Sequence, residues 1–267
     1  MRASLIQIAV NDGESADSRR ARTAGLVREQ SGADLVLLPE LWPVGAFAYE
    51  DFEAEAEELD GPTHEVMSKA AQDAGVWLHA GSIVERGADG TLYNTTLVFA
   101  PDGALAASYR KIHRFGFDQG EAVMMGRGDE LRTVELRPDF VLGLSTCYDL
   151  RFPELYRGLV DAGATALAVS AGWPARRRGH WTLLSKARAV ENQAYVLAVA
   201  EAGTHAGVEM AGHSIVVDPW GEVLAEAGPG EEVLTVDLDP AKVAATREQF
   251  PALKDRLLGL TPPPGRP

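Results

Sequence analysis

The sequence predicts an α/β fold, and three patterns support this prediction. Short apolar runs alternate with segments of helical periodicity along most of the 267 residues. Several of these runs are apolar throughout, as in strands that are buried on both faces of a sheet. Two further pairs of short runs flank turns rich in Pro, Asp and Gly, which is typical of hairpins and adds antiparallel strands.

The elements of the first half are justified by their flanking residues. A strand is predicted at residues 5–10, and a helix at 15–30 begins at Ser15 and is followed by Gly32. Residues 34–38 (DLVLL) form a continuous apolar run, typical of a strand buried on both faces. The other predicted elements are a helix at 62–74, a strand at 76–84 and a hairpin with strands at 95–99 and 104–109.

The second half continues the alternation. A buried strand at 140–145 precedes a helix at 153–161, which begins with a proline. Later elements are strands at 166–170, 195–200 and 232–237, helices at 181–192 and from about 239 to 250, and a hairpin at 214–217 and 223–226. No repeat or linker divides the chain, so we expect one domain over residues 1–260. The Pro- and Gly-rich residues 261–267 are predicted to form a flexible tail.

Composition and charge exclude several classes of protein. Hydrophobic residues make up 46% and charged residues 24% of the chain, the balance of a globular protein. The formal net charge of -14 would repel nucleic acid and anionic lipid, so neither is expected as a partner. No apolar run approaches the ~20 residues that span a bilayer, and no signal-peptide pattern is present, so we expect a cytoplasmic protein. One cysteine excludes an internal disulfide and a cysteine-based zinc site.

Cys147 is a candidate nucleophile because of its place in the predicted fold. It follows the buried strand that ends near Thr146 and precedes the helix that begins at Pro153. At such a turn, backbone N–H groups and the helix dipole would favour a thiolate and could hold an oxyanion. The alternative is a buried cysteine that acts as a small apolar side chain. A useful thiol needs a base or a cation nearby, and neither His113 nor His180 lies in a cysteine-protease context.

Two charged residues that follow strands are better placed to assist this thiol. Glu40 ends the strand in DLVLLPE, and the carboxyl ends of internal strands are where α/β proteins place their sites. A carboxylate there could act as a general base. Lys111 comes just after a strand in YRKIH. Taken singly, each residue is more often a solvated surface side chain.

Three segments therefore stand in a particular order along the chain: PELW around Glu40, YRKIH around Lys111 and CYDLRFPEL from Cys147. Together they resemble the signature segments of the nitrilase superfamily of carbon–nitrogen hydrolases. Residues 179–196 and 212–228 are similar to a conserved helix with its following strand and to a late hairpin of that family. The resemblance extends from about residue 5 to about residue 257.

The resemblance implies a four-layer α-β-β-α sandwich and a catalytic set of Glu40, Lys111 and Cys147, with Glu121 as a second active-site glutamate. Cys147 would attack an amide carbonyl with Glu40 as the base, while Lys111 and the backbone N–H of Tyr148 stabilise the oxyanion. Ammonia would leave, and water would hydrolyse the acyl-thioester. No metal and no organic cofactor is implied. Family members commonly form homodimers through the helix after Cys147 and a later helix, so we expect at least a dimer.

The residues after the cysteine resemble the ω-amidase branch, whose members cleave the terminal amide of small dicarboxylic acid monoamides, typically of 2-oxo acids. SAGWPARRRGHW is also similar to that branch, although Gly172 stands where the branch often has Asn. We therefore expect a small-molecule amide substrate contacted by Tyr148, Arg151 and Trp173. Arg151 could hold a substrate carboxylate or form a structural salt bridge. Residues 176–178 could also hold that carboxylate, or they could lie on a solvated loop or in an oligomer contact.

Other functions stay open at this point. An N-carbamoyl hydrolase or a general aliphatic amidase is the alternative among enzymes, and a catalytically silent interaction protein of the same fold is the alternative outside them. The segment GLSTC around Ser145 faintly resembles a serine nucleophile elbow, but a cysteine stands at its last position. The sequence contains neither a complete dinucleotide-binding glycine pattern nor an H-E-x-x-H metal motif.

Overall fold

Two six-stranded sheets form the centre of the protein in a computed structural model that describes residues 1–258. The tail predicted at residues 261–267 lies outside the described residues. In chain order the elements are β1 (Arg2–Gln7), α1 (Ala16–Arg28), β2 (Leu35–Leu37), α2 (Pro62–Ala74), β3 (Trp77–Arg86), β4 (Leu92–Phe99), β5 (Leu105–Arg110), α3 (Glu121–Met124), β6 (Thr133–Arg137), β7 (Phe140–Thr146), α4 (Pro153–Asp161), β8 (Ala166–Ala171), α5 (Arg178–Asn192), β9 (Tyr195–Ala200), β10 (Thr204–His205), β11 (Val208–Glu209), β12 (Ile215–Val217), β13 (Val223–Glu226), β14 (Glu232–Asp237) and α6 (Ala241–Gln249).

Each sheet combines a parallel centre with antiparallel flanks. The first has the order β14-β1-β2-β3-β4-β5, in which β1, β2 and β3 are parallel. The second has the order β13-β12-β9-β8-β7-β6, in which β7, β8 and β9 are parallel. Strands β10 and β11 form a separate two-stranded ribbon. Both predicted hairpins, β4–β5 and β12–β13, are confirmed as antiparallel pairs.

The two sheets pack face to face, and helices cover both outer faces. Alternate residues of the predicted run DLVLL show why that run is apolar throughout. Leu35 and Leu37 pack in the core between the sheets, whereas Val36 packs with residues of α1 and α2. Residues of α4 and α5 pack in the same way on the outer face of the second sheet. The predicted four-layer α-β-β-α sandwich is therefore confirmed.

Some boundaries differ from the prediction because pairing across the fold decides them. Strand β1 covers Arg2–Gln7 rather than residues 5–10, since β14 pairs with it along its full length from Arg2 to Gln7. Helix α1 begins just after Ser15, as predicted, and the Ser15 hydroxyl accepts the N–H of Ser18 at 3.3 Å. Helix α3 is not among the predicted elements because four residues are too few to show a periodicity.

The candidate site residues lie where strands from both sheets end. Glu40 follows β2 and Lys111 follows β5 in the first sheet, while Cys147 follows β7 in the second. Parallel strands bring their carboxyl ends to one edge, which is the usual place for a site in such sheets. No helix among residues 1–258 is both long enough and apolar enough to cross a membrane.

Candidate active site

Cys147 begins a 3-10 helix, Cys147–Arg151, that connects β7 to α4. Its φ angle is 48°, in the left-handed region that a side-chain-bearing residue rarely adopts. Such strain is held in place by the surrounding structure and is often found at functional sites. The predicted helix does begin at Pro153, but a 3-10 turn separates it from the cysteine.

Asp149 ties this turn to the segment that carries the lysine. Its carboxylate is completely buried. One oxygen accepts the N–H of Thr146 at 2.9 Å and the hydroxyl of Tyr109 at 2.7 Å. The other accepts the N–H of His113 at 3.0 Å and lies 2.7 Å from the same residue's Nδ1. Because Tyr109 and His113 flank Lys111, one carboxylate fixes the spacing between the two candidate segments.

Glu40 is fixed by a tight turn after β2. Leu41 has a φ angle of 42°, so the backbone is again left-handed beside a candidate residue. The neighbouring strand can approach this turn because Gly81 has no side chain, since a Cβ there would collide with the carbonyl of Pro39. Oε2 of Glu40 accepts the N–H of Gly172 at 2.8 Å, which joins the two sheets across the site.

Lys111 lies between two buried carboxylates. Its Nζ is 2.6 Å from Oε1 of Glu40 and 2.6 Å from Oε2 of Glu121. Burial alone would lower the pKa of Lys111, but the charges of Glu121 and Glu40 outweigh it and raise that pKa well above its ordinary value. Lys111 is therefore an ammonium group that can donate to both carboxylates.

Glu121 is the first residue of α3, and the structure brings it to the other three predicted site residues. Its Oε2 also accepts the N–H of Phe115 at 2.8 Å. Burial raises the pKa of Glu121, the Lys111 charge opposes this shift, and the charge of Glu40 adds to it. Glu121 thus provides a second carboxylate for the ammonium group of Lys111.

Burial and charge keep the nucleophile protonated in the free site. Burial raises the pKa of the Cys147 thiol well above its ordinary value, and the charge of Glu40 adds to this effect, while Lys111 opposes it. In the free site these shifts favour the thiol over the thiolate that the turn alone would favour. The Sγ atom lies 3.9 Å from the carbonyl oxygen of Gly172. A reaction at this sulfur needs a base, and Glu40 is the neighbouring carboxylate.

An open cavity of about 380 Å³ leads to these groups. Tyr148, Arg151 and Trp173, the predicted substrate-binding residues, all line it. Arg151 lies over the indole of Trp173, 5.0 Å from the ring centroid, and its Nη2 is 3.3 Å from Nδ1 of His180. Within residues 1–258 it forms no ion pair, so the structural salt bridge considered from the sequence is not present there.

One residue at the site was not singled out from the sequence, and a second was named only as part of a cluster. Asn94 in β4 donates through Nδ2 to Glu40 at 2.8 Å and to Glu121 at 2.6 Å. The feature of the sequence that could have pointed to Asn94 is its polar side chain within the strand LYNTTLVF. Arg177 also lines the cavity, with its guanidinium 5.1 Å from the ring centroid of Phe115. The sequence marks it only as one of three consecutive arginines.

Ser145, the rival nucleophile, is part of strand β7 and is completely buried. Its hydroxyl lies 2.9 Å from the Tyr156 hydroxyl and donates to the carbonyl oxygen of Ala168 at 2.7 Å. It does not line the cavity that contains Cys147. The geometry favours the cysteine over the serine as the nucleophile.

The paired carboxylates could in principle attract a cation, but Lys111 already lies between them. Among residues 1–258, no cluster of three or more His, Cys, Asp or Glu side chains is arranged to hold a metal ion. The charge balance of the site is thus provided by side chains of the chain itself.

The carbon-nitrogen hydrolase family matches this chain over residues 2–248, nearly the whole described length. The chain belongs to this family. The assignment agrees with the resemblance of its three segments and with the four-layer fold.

Three relatives show which members of the family this hydrolase is similar to. A 2-oxoglutaramate amidase from Paenarthrobacter nicotinovorans is 41% identical over 257 residues, covering 94% of this chain and 87% of the relative. The omega-amidase NIT2 of Mus musculus is 39% identical over 267 residues, covering 96% of this chain and 94% of the relative. A mutant amidase from Nesterenkonia sp. AN1 superposes with a TM-score of 0.83 at 26% identity, covering 96% and 93%, and carries the acetamide moiety of fluoroacetamide at its active-site cysteine.

This hydrolase is therefore an enzyme of the amidase type, similar to the ω-amidase branch, as its sequence predicts. Its own cysteine, Cys147, opens into the cavity beside the buried carboxylates. An interpretation as an interaction protein without catalysis would have to explain why these ionisable groups are gathered in one buried site.

Proposed function

We propose that this hydrolase removes ammonia from the terminal amide of a small carboxylic acid, in the first place a 2-oxo acid, by way of an acyl-thioester on Cys147. One observation supports this most directly. The only cysteine of the chain faces a cavity whose inner wall contains Glu40, Lys111 and Glu121. The names of two relatives, 2-oxoglutaramate amidase and omega-amidase, support the substrate class.

The first half of the reaction forms the thioester. As Sγ of Cys147 attacks the carbonyl carbon, its proton passes to Glu40. The oxyanion that develops is stabilised by the ammonium of Lys111 and the backbone N–H of Tyr148. The C–N bond then breaks, and Glu40 returns the proton to the nitrogen, so that ammonia leaves and the acyl group stays on sulfur.

The second half restores the enzyme. A water molecule attacks the thioester carbonyl while Glu40 takes one of its protons, and the same donors stabilise the second oxyanion. The C–S bond breaks, the carboxylic acid is released and the proton returns to the Cys147 thiol. Glu121 positions Lys111 throughout, because its carboxylate accepts a hydrogen bond from the ammonium group at 2.6 Å.

The outer part of the cavity suits the acid end of such a substrate. Arg151 and Arg177 both line it, and a guanidinium group pairs well with a carboxylate. Burial lowers the pKa of Arg177, and the charges of Arg176 and Arg151 add to this shift. A carboxylate bound there would relieve this repulsion.

The decisive experiment measures ammonia release from a panel of amides by wild type, Cys147→Ala and Ser145→Ala. The panel contains 2-oxoglutaramate, 2-oxosuccinamate, succinamate, glutamine, a simple aliphatic amide, a nitrile and an N-carbamoyl amino acid. We expect a 2-oxo acid amide to be preferred, Cys147→Ala to be inactive and Ser145→Ala to stay active. Loss of activity in Ser145→Ala with activity left in Cys147→Ala would contradict the cysteine mechanism.

The same panel distinguishes the alternatives. A preference for the aliphatic amide would indicate a general amidase, and carbon dioxide released together with ammonia would indicate an N-carbamoyl hydrolase. If no compound is turned over, the rate at which iodoacetamide alkylates Cys147 separates a reactive thiol from an inert one. An inert thiol together with an inactive panel would overturn the proposed function.

We also propose that the enzyme is a homodimer. Leu183 and Val190 project from one face of α5 with 66% and 52% of their surface exposed. Trp220 and Phe250 are exposed nearby and contact each other, with ring centroids 6.2 Å apart. Exposed apolar side chains of this kind are typical of an interface. Light scattering should give twice the chain mass, and a sharp monomer peak would contradict the proposal.

A further inference from the structure

Glu201 lies at the same edge of the second sheet as the candidate nucleophile. The parallel strands β7, β8 and β9 are followed by Cys147, Gly172 and Glu201 respectively. The N–H of Glu201 donates to the carbonyl oxygen of Ala171 at 2.9 Å, which continues the pairing of β8 with β9 beyond the strands. No motif of the sequence points to this residue, and the reaction described above does not use it.

The Glu201 carboxyl group is completely buried and, within residues 1–258, neither of its oxygens accepts a hydrogen bond of ordinary geometry, although the backbone N–H of Ala46 lies close to it. Nε2 of His205 lies 3.7 Å from Oε2, but this nitrogen already accepts the N–H of Phe47 at 3.3 Å. A carboxylate ion without a partner is strongly disfavoured at such depth, whereas a neutral carboxylic acid is tolerated.

The negative charge of Glu40 also favours the neutral form of Glu201. Burial raises the pKa of Glu201 well above its ordinary value, and the negative charge of Glu40 adds to the shift, while the backbone N–H of Ala46 and the charge of Arg19 oppose it. Burial lowers the pKa of His205, so the imidazole is neutral as well. The titratable and charged groups that face Glu201 are thus Glu40, His205 and Arg19.

The carboxyl group fills the space behind Gly172. A Cβ built on Gly172 would lie 2.8 Å from Oε2 of Glu201 and would collide with the Cβ of Ala46. The turn at Gly172 contacts both reacting partners, because its N–H donates to Glu40 at 2.8 Å and its carbonyl oxygen lies 3.9 Å from Sγ of Cys147. Any movement of this turn would displace both groups.

We propose that Glu201 is a positioning residue of the amidase reaction, which as an uncharged carboxylic acid supports the Gly172 turn and thereby holds Glu40 and Cys147 at their working distance. The inference rests on the proposed function. The neutral form matters because a second negative charge behind Gly172 would repel the carboxylate of Glu40 and the negative charge that develops on the sulfur. In this buried environment the repulsion would be poorly screened.

Two variants separate shape from charge. Glu201→Gln keeps the shape and the neutral charge, so kcat should stay within about twofold of wild type at neutral pH. Glu201→Ala leaves the Gly172 turn unsupported, and kcat should fall by about 10- to 100-fold with little change in KM. The activity is divided by the fraction of folded chains, measured by circular dichroism, so that loss of folded enzyme does not count as loss of kcat. Glu57→Gln, a buried carboxyl outside the cavity, is the matched control.

A spectroscopic measurement tests the protonation directly. The infrared difference spectrum between wild type and Glu201→Gln at neutral pH should contain the carbonyl band of a protonated carboxylic acid. A carboxylate band in its place, or an equal loss of kcat in Glu201→Gln and Glu201→Ala, would overturn the proposal. If wild type hydrolyses no amide and its Cys147 is inert, the proposed function fails, but the infrared spectrum still decides whether Glu201 is neutral.

Discussion

The Nζ atom of Lys111 lies 2.6 Å from Oε1 of Glu40, and both side chains are almost completely buried. A pair of this kind adds little net stability over an apolar pair, but removing one partner leaves the other charge unpaired, at a cost of about 3 to 5 kcal/mol. The pair therefore indicates a function rather than a gain in stability. It also joins the end of β2 to the end of β5 within the first sheet.

Replacing Glu40 by Gln should have opposite effects on hydrolysis and on alkylation. Hydrolysis should fall by about 10²- to 10⁴-fold, because the proton acceptor is lost. The Glu40 charge contributes to the raised pKa of the Cys147 thiol, so its removal should lower that pKa. The thiolate then forms at lower pH, and the pH profile of iodoacetamide alkylation should move in the acid direction.

The control for this experiment is Glu57→Gln, which removes a buried carboxylate hydrogen-bonded to Thr63 and outside the cavity. It should leave the alkylation profile unchanged. A shift of the Glu40→Gln profile toward higher pH, or hydrolysis equal to wild type, would count against Glu40 as the base.

Replacing Arg177 should weaken only the recognition of the carboxylate end of the substrate. With Arg177→Gln, kcat/KM for 2-oxoglutaramate should fall by about 10- to 100-fold, the value of one charge-assisted hydrogen bond. The value for a neutral aliphatic amide should change much less. Arg178→Gln is the matched control, because Arg178 is the next residue but pairs with Glu226 at 3.1 Å. Equal losses for the charged and the neutral amide would contradict a carboxylate subsite.

The stability of the fold should be more sensitive to a small change at Asp149 than to one at the residues that donate hydrogen bonds to it. An Asn at this position would turn an NH₂ group either toward the donors of Thr146 and Tyr109 or toward the N–H of His113. The free energy of unfolding should fall by about 1 to 3 kcal/mol in Asp149→Asn, because at least one donor is left unpaired. Urea unfolding measures this loss, and steady-state kinetics should show a lower kcat.

Tyr109→Phe provides the comparison. It removes one donor and leaves the carboxylate with the remaining ones, so the expected loss is about 1 kcal/mol. Burial and the charge of Asp149 raise the pKa of Tyr109 well above its ordinary value, so this hydroxyl stays a donor across the accessible pH range. If Asp149→Asn were no less stable than Tyr109→Phe, Asp149 would not be the group that joins the two segments.

The parts of the site that could be predicted from the sequence are those with a local signal. Glu40, Lys111 and Cys147 each follow a short apolar run, and each lies within a segment that resembles a known motif. The layers were predictable for the same reason, since runs such as DLVLL are apolar at every position when a strand is covered on both faces.

The remaining parts depend on which distant segments become neighbours. Asn94 reaches two carboxylates only because β4 and β5 pair in one register. Glu201 stands in the unremarkable stretch AEAG, and its place behind Gly172 follows from the pairing of β8 with β9. Strand β1 was displaced from its predicted position by β14, which comes from the other end of the chain. Long-range pairing of this kind leaves no trace in a local pattern.

Because the site is divided between two sheets, its residues are synthesised at different times and come together late in folding. The first sheet supplies Glu40 and Lys111, the second supplies Cys147, and β14 from late in the chain completes the first sheet beside β1. During synthesis, the segment that carries the nucleophile is made after the segments that carry its proton acceptor and its cation. The first sheet still lacks its last strand at that moment. The set of Glu40, Lys111 and Cys147 is therefore complete only when both sheets have formed and packed against each other.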